Sequence, residues 1–202
     1  MHRTSTAVAA SAALVFSMTA AAVAQTPGTV FIEIDQPVLA PGESTTVRLL
    51  AGWGGPDFAM AGVATSLLAD AGGRDVAASW SDWALIAPMD GPGTSEGEAI
   101  GNGFGGIIAG QLNFPVAGIY SEPDPNPMPF WEVTFTAPTD LGAFEVDLST
   151  DTERFDVYIA RFSALSESRL DGLTEGAGTI VVVPAPAGGV VLLGLIALRR
   201  RR

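Results

Sequence analysis

The sequence predicts an all-β fold, a two-sheet antiparallel sandwich of about nine strands, flanked by an N-terminal signal peptide and a C-terminal membrane helix. Three observations support this prediction. Apolar and polar residues alternate in several short segments, turns rich in glycine and proline separate them, and no long amphipathic helix stands out. The expected divisions are 1–24 for the signal peptide, 25–178 for the sandwich, with its last strand continuing to about 183, and 184–202 for a C-terminal sorting segment.

The first 24 residues have the three parts of a secretory signal peptide. A short basic start ends at Arg3, a mostly apolar stretch covers 7–22, and residues 22–24 form an A-x-A cleavage motif. We expect cleavage between Ala24 and Gln25, and we expect the rest of the chain to be exported.

Four segments alternate regularly between apolar and polar residues, as strands with one buried and one solvated face do. They cover residues 30–35, 131–136, 144–149 and 155–160. We expect the following side chains to be buried: Val133, Phe135, Phe144, Val146, Leu148, Phe155, Val157 and Ile159. The side chains expected to face solvent are Glu132, Glu145 and Asp147.

Five further segments are apolar enough to form strands and lie between turn-forming residues. They cover residues 45–50, 60–68, 76–86, 107–114 and 179–183. Residues 59–71 also contain enough alanine and leucine for a helix, so the strand prediction has an alternative there. The polar residues 150–153 are interpreted as a hairpin turn between two strands.

Residues 101–106, Gly-Asn-Gly-Phe-Gly-Gly, fit the pattern G-x-G-x-x-G. A dinucleotide site needs that pattern between a strand and a helix, because the helix N-terminus receives the pyrophosphate. Here the pattern precedes a predicted strand, and no βαβ unit surrounds it. We therefore interpret the segment as a flexible glycine loop.

The part of the chain between the two terminal segments is strongly acidic. It contains all 22 acidic residues, five arginines and no lysine, which gives it a formal charge of −17. Nucleic-acid binding is not expected, because phosphate contacts need many cationic side chains. Such a charge keeps a protein soluble, repels anionic surfaces and attracts cations.

The residue types that are missing limit the chemistry. The chain has no cysteine, and its one histidine, His2, leaves with the signal peptide. Ser–His and Cys–His nucleophiles, Schiff-base lysines and the usual zinc sites are therefore excluded. Only carboxylate chemistry remains, either a glycosidase-like acid/base pair or a calcium site with oxygen ligands. We expect no enzymatic activity and no catalytic residues.

One proline-rich loop offers oxygen ligands for calcium. Glu122, Asp124 and Asn126 alternate with three prolines in this segment. Carboxylate and amide oxygens suit calcium, although the spacing is not that of an EF-hand. The alternative is that the prolines build a stiff exposed loop. We therefore assign no metal site, and calcium is the only cofactor that we consider.

The four tryptophans have two possible roles. An exposed ring stacks on the apolar face of a sugar, whereas a buried ring fills the core. Trp131 shares a strand face with Val133 and Phe135, which favours the core. Trp53 lies in a glycine-rich loop and is the best candidate for a ligand platform, although core filling is the favoured role there as well.

The C-terminal segment combines three features. Pro184, Ala185 and Pro186 precede an apolar run over 187–198, and the sequence continues with four basic residues, Arg199, Arg200, Arg201 and Arg202. As a helix, the apolar run spans roughly 18 Å, which is short for a hydrocarbon core of about 30 Å. The arginines are expected to stay in the cytoplasm, so the segment predicts a temporary inner-membrane anchor.

This C-terminal segment resembles the PEP-CTERM sorting signals of Gram-negative bacteria, with Ala185 where the family usually has glutamate. The resemblance implies recognition by exosortase, a membrane transpeptidase that cuts near the motif. It also implies an inner-membrane anchored precursor that passes to the cell envelope or the outside.

The predicted sandwich is similar to cohesin-type and carbohydrate-binding modules. The similarity lies in residues 32–47, where a strand, a Pro-Gly turn and a Thr-Val strand follow one another, and in residues 131–138. It implies a β-sandwich fold, and no functional residue is transferred from it.

Two functions are compatible with these features. The first is an exported, surface-sorted structural or matrix-associated protein, embedded in exopolysaccharide or attached to another envelope protein. The second is a glycan- or protein-binding adhesion module of the cohesin-like or carbohydrate-binding type. The sorting segment favours the first, because surface display needs no ligand.

Overall fold

The structure is a computed structural model that describes residues 28–54, 59–111, 124–158, 166–168, 170 and 172–183. The signal peptide, the sorting motif with its arginines, the predicted membrane helix over 187–198, Glu122 and Ile159 lie outside these residues. Among the described residues, no helix is long and apolar enough to cross a membrane.

The described residues form twelve strands and one turn of 3-10 helix at Ala77–Ser79. The strands are β1 (Gly28–Ile34), β2 (Val38–Leu39), β3 (Ser44–Gly52), β4 (Ala59–Asp70), β5 (Trp80–Leu85), β6 (Ser95–Ile100), β7 (Gly103–Gly110), β8 (Met128–Thr136), β9 (Phe144–Tyr158), β10 (Ser166–Ser168), β11 (Leu173–Thr174) and β12 (Ala177–Val182).

The strands form two sheets that pack face to face, as the sequence predicted. The smaller sheet has the order β11-β1-β3-β8-β5, and the larger sheet has the order β2-β12-β9-β4-β7-β6, with β10 pairing with β9. The pairs are antiparallel except at two edges, where β11 lies parallel to β1 and β2 lies parallel to β12. One apolar core fills the space between the sheets.

Strand alternation accounts for this core. Along β9, Phe144, Val146 and Leu148 are buried, whereas Glu145 and Asp147 are exposed, as predicted. On β8 the predicted core residues are buried as well, and the intervening polar side chains are partly exposed. This pattern places one apolar face of each strand inside the sandwich.

The predicted hairpin turn at 150–153 is wrong, because β9 runs through it without a break. The Glu175 side chain stabilises this stretch: its carboxylate accepts hydrogen bonds from the Thr150 hydroxyl (2.6 Å), the Thr152 hydroxyl (3.1 Å) and the Thr152 amide (3.1 Å). The pairing with β4 shifts between Ala64 and Thr65, so a bulge accommodates the extra residue.

Three other predictions need correction. Residues 77–79 form the 3-10 turn, so the strand predicted over 76–86 begins only at Trp80. Residues 101–106 are not a flexible loop: they form the turn of the β6–β7 hairpin and the start of β7. The edge strand β6 was not predicted, because Glu96, Gly97 and Glu98 have low β-propensity.

The helical alternative for 59–71 is also excluded. Residues 59–70 form β4, which lies between β9 and β7 in the middle of the larger sheet. Pairing on both edges satisfies its backbone groups, and this outweighs the helix propensity of its alanines.

Candidate functional site

The outer face of the larger sheet exposes three large aliphatic side chains. Leu68 on β4, Ile100 on β6 and Ile108 on β7 are 49%, 59% and 44% exposed. Leu68 and Ile100 lie on either side of β7 at Gly103, whereas Ile108 pairs with Ala64 and lies roughly 13 Å further along the same face. We call this surface the aliphatic face. A solvated sheet face usually carries polar residues, so three such side chains on one face indicate a contact surface.

Strand register explains how the aliphatic face forms. Gly103 on β7 pairs with Ile100 on β6, and its neighbour Phe104 pairs with Leu67 on β4. Gly103 therefore lies between Ile100 and Leu68, and it has no side chain to separate them.

A second glycine holds Ile100 close to the sheet. A Cβ atom on Gly105 would lie 2.5 Å from Cδ1 of Ile100, so the isoleucine side chain covers this glycine. The Ser66 hydroxyl lies on the same side of the sheet, 3.9 Å from that position. Ile100 therefore lies across the sheet at this point.

Carboxylates surround the aliphatic face. Asp70 on β4 pairs directly with Asp147 on β9, and the Thr179 hydroxyl donates a hydrogen bond of 2.9 Å to Asp147. Glu98 lies two residues before Ile100 on β6, and Asp151 lies two residues after Ser149 on β9, so the two residues of each pair share a sheet face. All four carboxylates are exposed, so the rim of the aliphatic face is acidic around Leu68 and Ile100, whereas Arg154 lies across β4 from Ile108.

The outer face of the smaller sheet is different. Arg48 donates hydrogen bonds to Asp35 (2.6 Å) and Glu132 (3.3 Å), and the Asp35 interaction raises the pKa of Arg48 above its usual value. The hydroxyls of Ser44 and Thr136 are 2.8 Å apart across β3 and β8. This face therefore has an ion-paired arginine and polar cross-strand pairs, as a solvated face does.

Two of the proposed calcium ligands, Asp124 and Asn126, lie at the end of the sandwich where β3 ends and β8 begins. The side-chain amide of Asn126 makes two hydrogen bonds with the Trp53 backbone. Its oxygen accepts one from the Trp53 N–H at 3.2 Å, and its nitrogen donates the other to the Trp53 carbonyl at 2.6 Å. Asp124 accepts a hydrogen bond of 2.5 Å from the buried Gln111 side chain, which also donates to the Met60 carbonyl.

Partial burial raises the pKa of Asp124 above its usual value, and its hydrogen bond from Gln111 opposes that shift. No group of three or more acidic residues that could hold a metal ion occurs among the described residues. Glu122 is not among them, so calcium binding stays a prediction.

The tryptophans belong to the core rather than to a sugar platform. Trp53 is 4% exposed and is part of the core cluster, so its ring offers no free face for stacking. The ring of Phe104 lies 5.9 Å from Trp80, 5.1 Å from Trp83 and 5.2 Å from Trp131. The structure therefore favours core filling for Trp53, as the sequence did, over a role as a ligand platform.

The residues of the aliphatic face were not singled out in the sequence. One signal was available for two of them, because Leu67-Leu68 and Ile107-Ile108 are adjacent aliphatic pairs within predicted strands. Alternation points the two members of such a pair to opposite faces, so one of them must leave the core. Ile100 had no such signal, since its strand was not recognised.

Comparisons with known proteins bear on the fold. No protein-family model matches the sequence, and no curated protein matches it either. A type I cohesin from Pseudobacteroides cellulosolvens has a similar structure, with a TM-score of 0.52 at 16% identity, over 79% of this chain and 94% of that one.

Two more cohesin structures are less similar. The cohesin module of a family 33 glycoside hydrolase from Clostridium perfringens gives a TM-score of 0.48 at 10% identity, over 79% of this chain and 99% of that one. A cohesin in a cohesin–dockerin complex from Clostridium thermocellum gives 0.44 at 13% identity, over 78% and 99%. The similarity to the Pseudobacteroides cellulosolvens module shows that the described part of this chain has a cohesin-like β-sandwich fold.

Proposed function

We propose that this chain is an exported, non-catalytic protein-binding module, and that its aliphatic face receives a folded protein partner. The observation that carries the proposal is the exposure of Leu68, Ile100 and Ile108 on one sheet face. The cohesin-like fold agrees with a binding role, but the argument comes from this chain's own surface.

The energetics favour a protein over a small molecule as the partner. An open sheet face encloses a small ligand less well than the concave pocket that such ligands usually occupy. Covering each half-exposed aliphatic side chain contributes on the order of 1 kcal/mol. Several such contacts across an open sheet face are typical of a protein interface, whose centre is apolar and whose rim is polar.

Charge indicates what kind of protein fits. Asp70, Glu98, Asp147 and Asp151 form the rim, and the body as a whole is strongly acidic. A partner with an apolar centre and a basic rim would gain both burial and electrostatic attraction. We therefore commit to a folded protein with that surface, and a glycan partner becomes an alternative outcome of the test.

We further propose that the chain reaches its partner by export and sorting. The signal peptide directs export, and the C-terminal segment holds an inner-membrane precursor with its arginines in the cytoplasm. An exosortase-like enzyme then cuts near Pro184, Ala185 and Pro186 and transfers the body to the cell envelope or releases it.

A structural or matrix role is the second candidate. The observation that favours it is the sorting segment itself, which accounts for surface display without a specific ligand. In that case the acidic body would be embedded in exopolysaccharide or attached to another envelope protein.

Site-specific cross-linking tests the protein-binding proposal. A photoreactive amino acid is placed at Leu68 or Ile100 in the full chain, expressed in the producing cells. The matched control places it at Thr134, on the outer face of the smaller sheet. We expect one protein to be captured from the aliphatic face and not from the control position.

The captured protein is then purified and its affinity measured. Replacing Leu68 and Ile100 with serine should weaken binding roughly tenfold or more, because about 2 kcal/mol of apolar contact is lost. An affinity that these substitutions leave unchanged, or capture of polysaccharide alone, would overturn the proposal and favour the matrix role.

Intact-mass analysis of the protein recovered from cells tests the sorting proposal. We expect a start at Gln25 and an end near residues 183–187. Changing Pro184 and Pro186 should let the uncut precursor accumulate. Recovery of the wild-type protein with Arg202 still attached would contradict processing and leave the segment as an anchor only.

A further inference from the structure

One end of the aliphatic face differs from the rest in charge. Arg154 on β9 lies across β4 from Ile108, whereas carboxylates surround Leu68 and Ile100. We propose that Arg154 and the recess beside it receive a carboxylate side chain of the protein partner. This inference rests on the proposed function and deepens it, because it states where on the partner an acidic residue must lie.

Two glycines open the recess in the outer face of the larger sheet. Gly62 on β4 pairs with Asp156 on one side and with Gly110 on the other. Among the described residues, the only atoms within 4 Å of a Cβ placed on Gly62 belong to the β7 backbone. No described side chain therefore covers this part of the sheet.

The recess is large enough for one side chain of a partner. Its volume is about 260 Å³, and the residues around it include Ile108, Arg154, Asp156 and the loop residues 92–94. A cavity of about 150 Å³ already holds a benzene molecule, so a carboxylate side chain fits easily. Pockets for small-molecule ligands usually start at about 300 Å³, which favours a protein side chain as the occupant.

A buried carboxylate holds Arg154 at the edge of this recess. The Asp156 side chain is only 8% exposed, and its Oδ2 atom accepts a hydrogen bond from Nε of Arg154. Because a buried carboxylate needs a partner, Asp156 fixes the position of the guanidinium group. The Arg154 side chain itself is 67% exposed. Within the described part of the chain, neither of its two terminal nitrogens makes a hydrogen bond.

Arg48 shows what a saturated arginine looks like in the same protein. Its Nε donates to Glu132, and its two terminal nitrogens donate to the two carboxylate oxygens of Asp35. Arg154 has only the Nε contact, so its terminal N–H groups can still bind a ligand. A guanidinium group that is held through Nε presents these groups as a fork, which matches a carboxylate through two parallel hydrogen bonds.

A carboxylate suits this site better than a cation does. A cationic side chain would first have to displace Arg154 from Asp156, and it would then be repelled by the released guanidinium group. The acidic body repels an acidic group at long range, but salt screens exposed charges that lie further apart than about 10 Å. At hydrogen-bond distance, the charge of Arg154 therefore dominates.

The position of Arg154 would give the docked partner one orientation. Arg154 and Ile108 face each other across β4, roughly 10 Å apart, and Leu68 lies further along β4 beside the acidic rim. A partner with an acidic group at the first end and basic groups at the second matches both ends. In the reversed orientation like charges would meet at both ends, which disfavours that complex.

Cross-link mapping tests the position of the acidic residue. A photoreactive amino acid is placed at Pro92, beside the recess, or at Leu68 in the full chain, expressed in the producing cells. Mass spectrometry then identifies the cross-linked segments of the captured protein. We expect the segment from position 92 to contain aspartate or glutamate, and a different segment, with lysine or arginine, from position 68. One common segment, or a segment without an acidic residue from position 92, would contradict the proposal.

Affinity measurements with the purified captured protein test the role of Arg154. Arg154→Gln should weaken binding about tenfold or more, because it removes one member of a hydrogen-bonded charge pair. Arg154→Lys, which keeps the charge but loses the fork, should have an intermediate effect. Arg48→Gln is the matched control: it removes the same charge from the opposite sheet and should change the affinity less than about twofold. Arg154→Glu should be rescued when the mapped acidic residue of the partner is replaced by arginine.

The outcomes separate this inference from the proposed function. Unchanged binding by Arg154→Gln, while serine at positions 68 and 100 still weakens binding, would overturn the carboxylate site and leave the proposed function intact. Tighter binding by Arg154→Gln would overturn it as well, since a cation of the partner would then occupy the place of Arg154 at Asp156. If no protein is captured, or if the serine variant binds normally, both fail. Far-ultraviolet circular dichroism of each variant checks that the sandwich is folded.

Discussion

Asn102 shows how one side chain fixes the position of a loop. Its carbonyl oxygen accepts a hydrogen bond from the Val76 amide (2.8 Å), and its amide nitrogen donates to the Arg74 carbonyl (2.7 Å). Its backbone carbonyl accepts a hydrogen bond from the Trp80 ring at 2.7 Å. The β6–β7 turn is thereby attached to the segment that precedes β5.

We expect Asn102→Ala to lower the free energy of unfolding by about 2 kcal/mol, because it removes two hydrogen bonds and leaves backbone groups unpaired. Urea denaturation measures this change. Asn102→Asp is the matched variant: it keeps the acceptor for Val76 but places a carboxylate oxygen against the Arg74 carbonyl, so it should also destabilise the fold. A loss below about 0.5 kcal/mol in the alanine variant would contradict the role given to Asn102.

Asp124 provides a prediction about pH. Burial raises the pKa of this carboxyl group in the folded state, so the folded protein binds the proton more tightly than the unfolded chain. Protonation of Asp124 therefore stabilises the fold, and this contribution is lost as the pH rises through the raised pKa.

We expect Asp124→Asn to be more stable than the wild type at pH 7, because a neutral amide avoids the cost of desolvating a charge and keeps an acceptor for Gln111. The difference should shrink as the pH falls towards 4. Urea denaturation of both proteins in a chelator, at pH 7 and pH 4, measures it. If Asp124→Asn is less stable than the wild type at pH 7, or if the difference in stability grows as the pH falls, burial is not the dominant effect on the Asp124 carboxyl group.

At the scale of single elements, β7 is shaped by glycines with different neighbours. A Cβ on Gly103 would collide with the backbone carbonyl of Leu67 on β4, and the backbone there cannot move without separating the strands. A Cβ on Gly105 would meet only the end of the Ile100 side chain, which can rotate away.

Gly103→Ala is expected to cost about 2 kcal/mol or more, since the collision is with backbone, whereas Gly105→Ala should cost less than about 1 kcal/mol. Differences in thermal unfolding between the two variants measure this contrast. Equal destabilisation would mean that β4 and β7 do not approach one another as closely as the structure shows.

The elements also show where local patterns fail. Alternation correctly identified the start of β9 and its buried side chains, because that pattern depends only on neighbours along the chain. The polar residues that follow looked like a turn, yet Glu175, more than 20 residues away, supplies the hydrogen bonds that keep them in a strand. Long-range partners of this kind are invisible to a local pattern.

At the scale of the whole molecule, net charge is the dominant property. The described body carries many carboxylates, and its few ion pairs involve Arg48 and Arg154. Mutual repulsion among unpaired carboxylates destabilises a compact state, and salt screens this repulsion.

We expect the melting temperature to rise by several degrees as sodium chloride is increased from low to moderate concentration. Calcium should raise it further than sodium chloride of equal ionic strength if the loop at Glu122, Asp124 and Asn126 binds the ion. Asp124→Asn would then abolish the calcium-specific part alone. A melting temperature that neither salt nor calcium changes would contradict the importance of charge repulsion and the calcium site.

The sequence by itself determined the all-β class, most of the core positions and the chemistry that the chain lacks. These properties follow from alternation along single strands and from composition, so no knowledge of neighbours is needed. The terminal segments are likewise predicted from linear patterns, and they await experimental test.

Only the tertiary structure decided which strands are neighbours and what their outer faces present. It placed Leu68 and Ile100 on either side of β7, with Ile108 further along the same face, and it placed Trp53 in the core. It also fixed β12 between β2 and β9 up to the point where the predicted anchor begins. Strand order and register arise from contacts between residues far apart in the chain, which is why a single sequence does not reveal them.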